Sequence, residues 1–336
     1  MKILVTGGAG FIGSNFIHYL RKARESYTII NVDLLTYAGN IENLKNFDND
    51  DKYFFEKADI ANIIEMERIF EKYTPDYVVN FAAESHVDRS IKEPGIFVKS
   101  NVLGTQILLD LAKKYNVKRF HQVSTDEVYG SLGSTGYFTE GSIIKPNSPY
   151  SASKAAADMF VRAYNKTFGF NTVITRCSNN YGPYQFPEKL IPLIINNLRS
   201  DKSIPVYGDG MNVRDWLYVD DHCSAILKVL EEAAPGSVYN IGGNNEMANI
   251  NIVKLIMKHL NKSEELITYV KDRPGHDRRY AIDAAKIKND LGWEPAYRFE
   301  EAIISTIDWY MANTAWIDNV VSGDYLKYYD EMYSKR

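Results

Sequence analysis

Short runs of apolar residues alternate with longer amphipathic stretches from residue 2 to about residue 170. The short runs are rich in Val, Ile and Phe, which suits strands that are buried on both faces of a parallel sheet. The longer stretches carry apolar residues at helical spacing. The pattern therefore predicts a doubly wound α/β fold built on a parallel sheet. The predicted strands are 2–6, 28–32, 53–57, 77–82, 119–124 and 172–175, and the predicted helices are 11–22, 63–73, 96–115 and 149–168.

The pattern becomes irregular after about residue 176. It predicts a helix at 188–199, short strands near Pro205 and Val238, and later helices near Asn251 and Phe299. We therefore predict two parts, an N-terminal domain over 1–176 and a smaller, mixed C-terminal lobe over 177–336. The pattern within 220–243 also allows segments there to return to the first domain.

Composition narrows the functional class. The chain has 336 residues, of which 45% are hydrophobic and 24% charged, so it can bury a full core. A net charge of -4 gives no basic footprint, so no nucleic-acid partner is predicted.

Cys177 and Cys223 lack the spacing of a zinc or redox motif, so we predict no metal and a reducing, cytoplasmic location. The apolar N-terminal stretch is too short for a signal peptide or a membrane span.

A glycine-rich segment, Thr6-Gly7-Gly8-Ala9-Gly10-Phe11-Ile12-Gly13, follows the first strand and opens the first helix. Asp33 ends the second strand about twenty residues later, as in dinucleotide-binding Rossmann folds. A carboxylate there accepts bonds from a ribose diol and repels a 2'-phosphate, which favours NAD over NADP. The alternative is a turn that serves only packing. Small residues after the fourth strand, at 82–85, fit either a ligand crevice or tight packing.

Tyr150 and Lys154 lie four residues apart in a segment that predicts the first turns of a helix, since Ser148 and Pro149 suit its N-cap and first position. That spacing puts both side chains on one face, where the ammonium favours the phenolate. A tyrosine and a lysine at this spacing are common in a chain with 24 tyrosines, so the pair alone does not establish a function. Together with the glycine turn and Thr125, it predicts that Tyr150 removes a hydroxyl proton while Thr125 hydrogen-bonds the reacting oxygen and Lys154 holds a ribose.

Asp126 and Glu127 are adjacent carboxylates at the end of the fifth strand. Neighbouring side chains on a strand face opposite ways, so both reach one substrate only if the chain turns there, which 128–130 permits. Two close carboxyls in an apolar site should have their pKa values pushed apart, giving one acid and one base, as an elimination requires. The alternative is a solvated pair in which Asp126 caps the next segment.

Four segments, 6–13, 82–88, 124–130 and 150–154, together resemble the extended short-chain dehydrogenase/reductase family. The resemblance continues through 178–183, 214–216 and 272–277, so it covers nearly the whole chain. Its most specific part is the Thr-Asp-Glu triplet at 125–127, which resembles the nucleotide-sugar 4,6-dehydratases of that family. Related epimerases usually carry small hydroxyl residues at the two acidic positions.

This resemblance implies a hydro-lyase of deoxysugar biosynthesis that acts on dTDP-glucose. Tyr150 would take the C4 hydroxyl proton while hydride passes to NAD. Glu127 would then remove the C5 proton and Asp126 would protonate the departing C6 hydroxyl, before hydride returns to C6. The product would be a 4-keto-6-deoxy sugar, and the family also implies a homodimer through the helices at 96–115 and 149–168.

The resemblance also implies binding residues. Those for the cofactor are Gly7, Gly10, Phe11, Ile12, Gly13, Asp33, Leu34, Thr36, Asp59, Ile60, Phe81, Ala82, Ala83, Ser85, Ser100, Tyr150, Lys154 and Asn180. Those for the substrate are Ser85, Thr125, Asn179, Lys189, Leu190, Pro205, Tyr207, Arg214, Asn249, Arg273 and His276. Two alternatives stay open: a nucleotide-sugar 4-epimerase or decarboxylase that uses the same tyrosine, and an NAD-binding protein without turnover.

Overall fold

The computed structural model describes residues 1–272 and 277–321. Its strands are β1 (Lys2–Thr6), β2 (Thr28–Asp33), β3 (Tyr53–Lys57), β4 (Tyr77–Asn80), β5 (Arg119–Thr125), β6 (Thr172–Cys177), β7 (Asn179–Tyr181), β8 (Ile204–Tyr207), β9 (Val213–Tyr218), β10 (Val238–Ile241), β11 (Glu246–Ala248) and β12 (Ile267–Val270). Its α-helices are α1 (Phe11–Ala23), α2 (Ile63–Tyr73), α3 (Val87–Lys92), α4 (Pro94–Phe97), α5 (Gly104–Lys114), α6 (Pro149–Phe168), α7 (Leu190–Arg199), α8 (Val219–Glu232), α9 (Asn249–His259), α10 (Ala285–Leu291), α11 (Phe299–Ala312) and α12 (Thr314–Val320).

Seven parallel strands form the main sheet, in the order β10-β6-β5-β4-β1-β2-β3. The order reverses between β1 and β4, which creates the crevice where doubly wound folds bind their ligands. Apolar clusters cover the two faces, one around Phe70, Leu108 and Phe120 and the other around Phe16 and Ile226. The predicted fold class, a Rossmann-type parallel sheet with a smaller mixed lobe, is confirmed.

A second lobe is built around a three-stranded sheet, β11-β9-β7, and a parallel pair, β12-β8. Its core combines α7, α9, α11 and α12, with Trp216 and Tyr310 among the buried side chains. Between these elements the chain returns to the first sheet. There α8 packs against α1, and β10 pairs with β6 through Val238↔Ile174 and three further positions.

The predicted helix at 96–115 is helical but not uniform. It contains a π-helical turn, Val98–Leu103, between α4 and α5. A Cβ on Gly104 would lie 2.6 Å from Ile60 Cδ1, so the chain passes unusually close to its neighbour there. The wider turn brings Ser100 to the crevice, and Asn101 Oδ1 accepts from Glu84 N at 2.9 Å. A regular 3.6-residue period does not reveal these positions.

Several smaller boundaries also differ from the predictions. The fourth strand ends at Asn80 rather than at residue 82, and the Asn80 side chain bonds with those of Thr6 and Gln122 on the two neighbouring strands. The helix predicted at 188–199 begins at Leu190. Within the described residues, no helix combines the length and the apolar character that a membrane crossing requires.

Candidate active site

A cavity of about 320 Å³ opens at the carboxyl ends of the main strands. It is lined by every residue predicted to bind the cofactor and by all five predicted catalytic residues. Of the predicted substrate residues, Ser85, Thr125, Asn179 and Lys189 line it as well. Leu190, Pro205, Tyr207, Arg214 and Asn249 lie outside its wall, and Arg273 and His276 lie outside the described residues.

The glycine-rich turn forms a bare backbone cradle at one end of this cavity. Gly7 has φ +70°, and a Cβ there would lie 2.6 Å from Ala82 N. A Cβ on Gly13 would lie 2.2 Å from Gly7 O, so α1 packs directly on the turn. Helix α1 begins after Gly10 without a side-chain cap, which leaves its first N–H groups for an anionic ligand. The turn therefore fits a pyrophosphate.

Asp33 ends β2 beside this cradle. Its Oδ2 accepts from Ala9 N at 2.9 Å and its Oδ1 accepts from Leu35 N at 2.8 Å. Burial raises the pKa of Asp33, and the two backbone bonds act against that rise. Each oxygen keeps a lone pair for a further donor, so the carboxylate fits the hydroxyl groups of a ribose. These features fit a dinucleotide such as NAD.

The central wall of the cavity carries Tyr150 and Lys154, on the first turns of α6. Ser148 caps this helix by accepting from Ser151 N, and Pro149 occupies its first position. Lys154 Nζ donates to Val123 O at 2.8 Å, which ties the helix to β5. Both side chains are buried.

The electrostatics of Tyr150 differ from the prediction. Burial and the neighbouring Glu127 raise the pKa of its hydroxyl well above the ordinary value, although a bond with Thr125 acts in the opposite direction. Burial likewise lowers the pKa of Lys154. The sequence predicted that Lys154 lowers the pKa of Tyr150. In the structure, the loss of solvation on burial outweighs the effect of the ammonium, so the protein groups alone do not lower this pKa.

The acid pair lies at the end of β5, where the chain leaves strand geometry. A 3₁₀ turn, Asp126–Tyr129, follows Thr125 directly, and Gly130 ends it with φ +87°. Thr125 caps this turn by accepting from Glu127 N at 3.3 Å, so the cap is the threonine and not Asp126. Both acids line the cavity as a result.

Asp126 is almost completely buried, and its Oδ2 has no hydrogen-bond partner among the described residues. Burial raises the pKa of this carboxyl well above its ordinary value, and Glu127 adds to the rise. A raised pKa favours the protonated form of this carboxyl, which is the form that can act as an acid. Glu127 is more exposed and lies next to it.

A buried polar network holds the acid turn from behind. Tyr129 OH donates to Asn240 Oδ1 at 2.8 Å and accepts from Arg176 Nη1 at 2.9 Å. Arg176 also pairs with the buried Asp158 on α6 at 2.9 Å. The turn is thus fixed to α6, β6 and β10 together. None of these partners was predicted, because they are distant in sequence and carry no motif.

Asn180 faces the cavity near Ser178 and has its amide fixed from behind. Its Nδ2 donates to Ser178 O at 2.9 Å, and its Oδ1 lies 2.8 Å from His222 Nδ1. Burial lowers the pKa of His222 to about 3, so the imidazole is neutral and donates from Nδ1. Sequence reasoning missed His222, although its position at the start of α8 follows an acidic pair, Asp220 and Asp221.

The far end of the cavity is bordered by Glu188 and Lys189. Lys189 Nζ donates to Ser85 O at 3.3 Å. Glu188 is buried with Oε2 3.7 Å from His86 Nε2 and 3.8 Å from Arg89 Nε, and burial raises its pKa to about 7. Glu188 was not predicted as a site residue. In the sequence, the only indication that Glu188 belongs to the site was its position beside Lys189.

The remaining described substrate residues lie in the second lobe, outside the cavity wall. Arg214 is buried, lies over the Tyr280 ring at 4.5 Å, and donates from Nη2 to Asp277 O at 2.9 Å. Asn249 begins α9, and its backbone N donates to Asn212 O at 3.0 Å. Pro205 and Tyr207 lie on β8. Tyr207 pairs with Val270 on β12.

Comparisons with known proteins show the family to which the chain belongs. The family model described as GDP-mannose 4,6 dehydratase matches residues 4–306. A dTDP-glucose 4,6-dehydratase from Salmonella typhimurium is 50% identical over 100% of both chains. The structure of a dTDP-glucose 4,6-dehydratase from Bacillus anthracis in complex with NAD is 53% identical, with a TM-score of 0.90, and covers 95% of this chain and 99% of that one.

A second solved structure is DesIV, a dTDP-glucose 4,6-dehydratase from Streptomyces venezuelae with NAD and dTDP bound. It is 45% identical, has a TM-score of 0.92, and covers 95% of this chain and 100% of its own. The family predicted from the sequence motifs is confirmed. The chain belongs to the GDP-mannose 4,6 dehydratase family, among the extended short-chain dehydrogenases/reductases.

Proposed function

We propose that the protein catalyses the NAD-dependent 4,6-dehydration of dTDP-glucose, as a hydro-lyase that releases dTDP-4-keto-6-deoxyglucose and water. The observation that carries this function is the joint presence of Tyr150, Lys154, Asp126 and Glu127 on one cavity wall beside a dinucleotide cradle. Relatives of the same activity share about half of their residues with this chain over its full length.

NAD is the cofactor, and relatives were solved with it bound. When bound, NAD accepts a hydride from C4 of the sugar, returns it to C6, and adds a positive charge to the cavity. The backbone of the glycine turn would bind its pyrophosphate and Asp33 its adenosine ribose. Lys154 would hold the second ribose while anchored on Val123 O.

Tyr150 is the base for the first step. It removes the proton of the C4 hydroxyl as that carbon is oxidised, and Thr125 donates to the same oxygen. Because burial raises the pKa of Tyr150, its ionisation requires positive charge nearby. The Lys154 ammonium supplies part of that charge from the same helix face.

Glu127 and Asp126 divide the elimination between them. The C4 ketone acidifies the C5 proton, which Glu127 removes as a base. Asp126 then protonates the C6 hydroxyl as it leaves as water. The raised pKa of Asp126 supports its assignment as the acid, because it favours the protonated form that can donate to the leaving hydroxyl.

The substrate's diphosphate requires cationic and amide donors. We propose Lys189 and Asn179 at the cavity and Arg214 in the second lobe for this role, with Ser85 near the sugar. Leu190, Pro205, Tyr207, Asn249, Arg273 and His276 would complete the nucleotide site. The second part of the chain, 177–336, would then be mainly the nucleotide-sugar lobe and 1–176 the NAD domain.

The direct test is incubation with dTDP-glucose, with UDP-glucose in parallel, followed by mass analysis of the product. Loss of one water and transfer of deuterium from C4 into the new methyl group are expected. A product of unchanged mass would instead indicate a 4-epimerase, and loss of carbon dioxide from a uronic-acid substrate would indicate a decarboxylase. NAD binding without any turnover would contradict the enzymatic assignment.

Assembly and location are part of the same proposal. The surface formed by α4, the π-helical turn and α6 exposes Ile96, Val98, Leu103, Met159 and Phe160. An apolar surface on adjacent helices supports a homodimer formed with a second copy of the chain. The buried free thiols of Cys177 and Cys223 support a reducing, cytoplasmic location.

A further inference from the structure

Helix α12, the last of the described helices, reaches the dinucleotide cradle through one hydrogen bond. Trp316 on α12 donates from Nε1 to Asn43 Oδ1 at 2.8 Å. Asn43 lies in a 3₁₀ helix, Ile41–Phe47, and donates from Nδ2 to Ala9 O at 3.0 Å. Ala9 is the middle residue of the glycine-rich turn. Residues 273 positions apart in sequence are therefore joined at the cofactor cradle.

The two partners fix the orientation of the Asn43 amide. An indole N–H can only donate, so Trp316 must face the amide oxygen. A backbone carbonyl can only accept, so Ala9 must face the amide nitrogen. The backbone carbonyl of Asn43 is also engaged, since it lies 2.8 Å from His18 Nε2. Both ends of a fully buried amide are thus used, and loss of either partner leaves a polar atom unsatisfied.

Hydrogen bonds fix both the carbonyl group and the N–H group of Ala9. Its carbonyl accepts from Asn40 N as well as from Asn43 Nδ2, each at 3.0 Å. Its N–H donates to Asp33 Oδ2 at 2.9 Å. A turn fixed in this way needs little ordering when an anionic ligand arrives, which raises affinity through preorganisation.

Trp316 belongs to the core of the second lobe. Its ring lies 5.4 Å from Trp309 and 5.9 Å from Tyr184, centroid to centroid. Tyr184 in turn stacks on His18 of α1 at 5.7 Å. The indole therefore connects an aromatic cluster of the substrate lobe with the cofactor turn of the first domain.

We propose that Trp316 is a positioning residue for NAD, which acts by holding Asn43 and thereby Ala9 of the glycine-rich turn. Cofactor retention then depends on the docking of α12. This inference rests on the proposed function in one respect, namely that the turn binds NAD.

The test compares full-length variants after removal of bound cofactor, with the dissociation constants for NAD and for dTDP measured separately. Trp316→Phe keeps an aromatic ring and removes only the donor. It should weaken NAD binding roughly three- to tenfold, as expected for loss of one buried hydrogen bond, and leave dTDP binding unchanged. Trp309→Phe is the matched control, because its indole nitrogen donates to no described residue, and it should bind NAD normally.

A double variant tests the route of the effect. Asn43→Ala should weaken NAD binding by a similar or larger factor, and Trp316→Phe should add nothing in that background. Wild-type NAD affinity in Trp316→Phe, an equal loss of dTDP binding, or an undiminished effect in the Asn43→Ala background would each overturn the proposal.

Two further results keep the test decisive. If Trp316→Phe does not fold, Asn43→Ala approaches the link from outside the aromatic cluster, and normal NAD affinity in that variant would contradict the inference. Failure of the wild-type protein to bind NAD would instead contradict the proposed function. Equal binding by wild type and variants contradicts only the role of Trp316.

Discussion

Lys154 Nζ donates a 2.8 Å hydrogen bond to the carbonyl oxygen of Val123, two residues before Thr125 on β5. This bond fixes the start of α6 against the end of the strand that carries the acid turn. Tyr150, one helical turn before the lysine, is thereby held at the same cavity wall as Thr125 and Glu127. The proposed base and the two neighbouring carboxyl groups are thus positioned by elements that contact each other directly.

Replacing the proposed base should stop the first step. Tyr150→Phe is expected to lower the rate of C4 oxidation by about 10²–10⁴-fold, the usual contribution of a general base. The absorbance of reduced nicotinamide after mixing with dTDP-glucose measures it. Tyr164→Phe, on the same helix but outside the cavity, should behave as wild type. Normal oxidation by Tyr150→Phe would remove the tyrosine from this role.

Replacing the second base should separate oxidation from dehydration. Glu127→Gln is expected to oxidise C4 and to accumulate reduced nicotinamide, because the amide cannot remove the C5 proton. Exchange of that proton with deuterated solvent should fall about 10²-fold or more. In Asp126→Asn, exchange at C5 should continue while water loss slows. Normal dehydration by Glu127→Gln would contradict the assignment.

Burial of Asp126 should cost stability at neutral pH. Its pKa in the folded state is raised above the ordinary 3.8, so the stability that it contributes is complete below pH 3.8 and is lost as the pH rises towards the folded value. For every pH unit by which folding raises this pKa, the free energy of unfolding at high pH falls by about 1.4 kcal/mol. Urea unfolding should therefore find Asp126→Asn more stable than wild type at pH 7 and nearly equal to it below pH 4.

A carboxyl whose pKa is lowered on folding provides a control for that experiment, because its contribution to stability has the opposite pH dependence. Asp209 pairs with Arg278 at the surface, and its pKa is lowered to about 2. Asp209→Asn should therefore lose a small contribution that is present above pH 3.8 and absent below pH 2. A pH-independent difference between Asp126→Asn and wild type would contradict the raised pKa of the buried carboxyl.

Arg214 should affect substrate binding more than chemistry. A charge-assisted hydrogen bond to a diphosphate contributes about 1.5–3 kcal/mol, so Arg214→Lys is expected to raise KM for dTDP-glucose about tenfold or more. The turnover number should change less than threefold. Arg278→Lys is the matched control, because its guanidinium is exposed and pairs with Asp209. An unchanged KM in Arg214→Lys would exclude the proposed contact.

The proposed dimer surface can be tested with single charges. Phe160→Glu or Val98→Glu should convert the protein to a monomer in sedimentation experiments, because a buried carboxylate without a partner opposes association. The control is Ile64→Glu, since Ile64 is 79% exposed on α2, outside that surface. A monomeric wild-type protein, or variants that remain dimeric, would contradict the proposal.

Motifs in this chain are local, and local patterns were predicted well. The glycine turn, Asp33 at the end of β2, and the pairing of Tyr150 with Lys154 each depend on neighbours within one strand–helix unit. The turn at Asp126 was also foreseen, because only a departure from strand geometry brings adjacent side chains to one site. The π-helical turn at Val98–Leu103 was not, since it follows from the approach of Gly104 to Ile60.

The sequence by itself determined the fold class and located the glycine-rich turn and the side chains that are proposed to react, because periodicity and short motifs encode these directly. Only the tertiary structure decided which groups hold those side chains and in which direction their pKa values shift. The bonds of Asn180 with His222 and of Asn43 with Trp316 join distant segments. The pKa values of Tyr150 and Asp126 depend on burial, and burial exists only once the chain has packed.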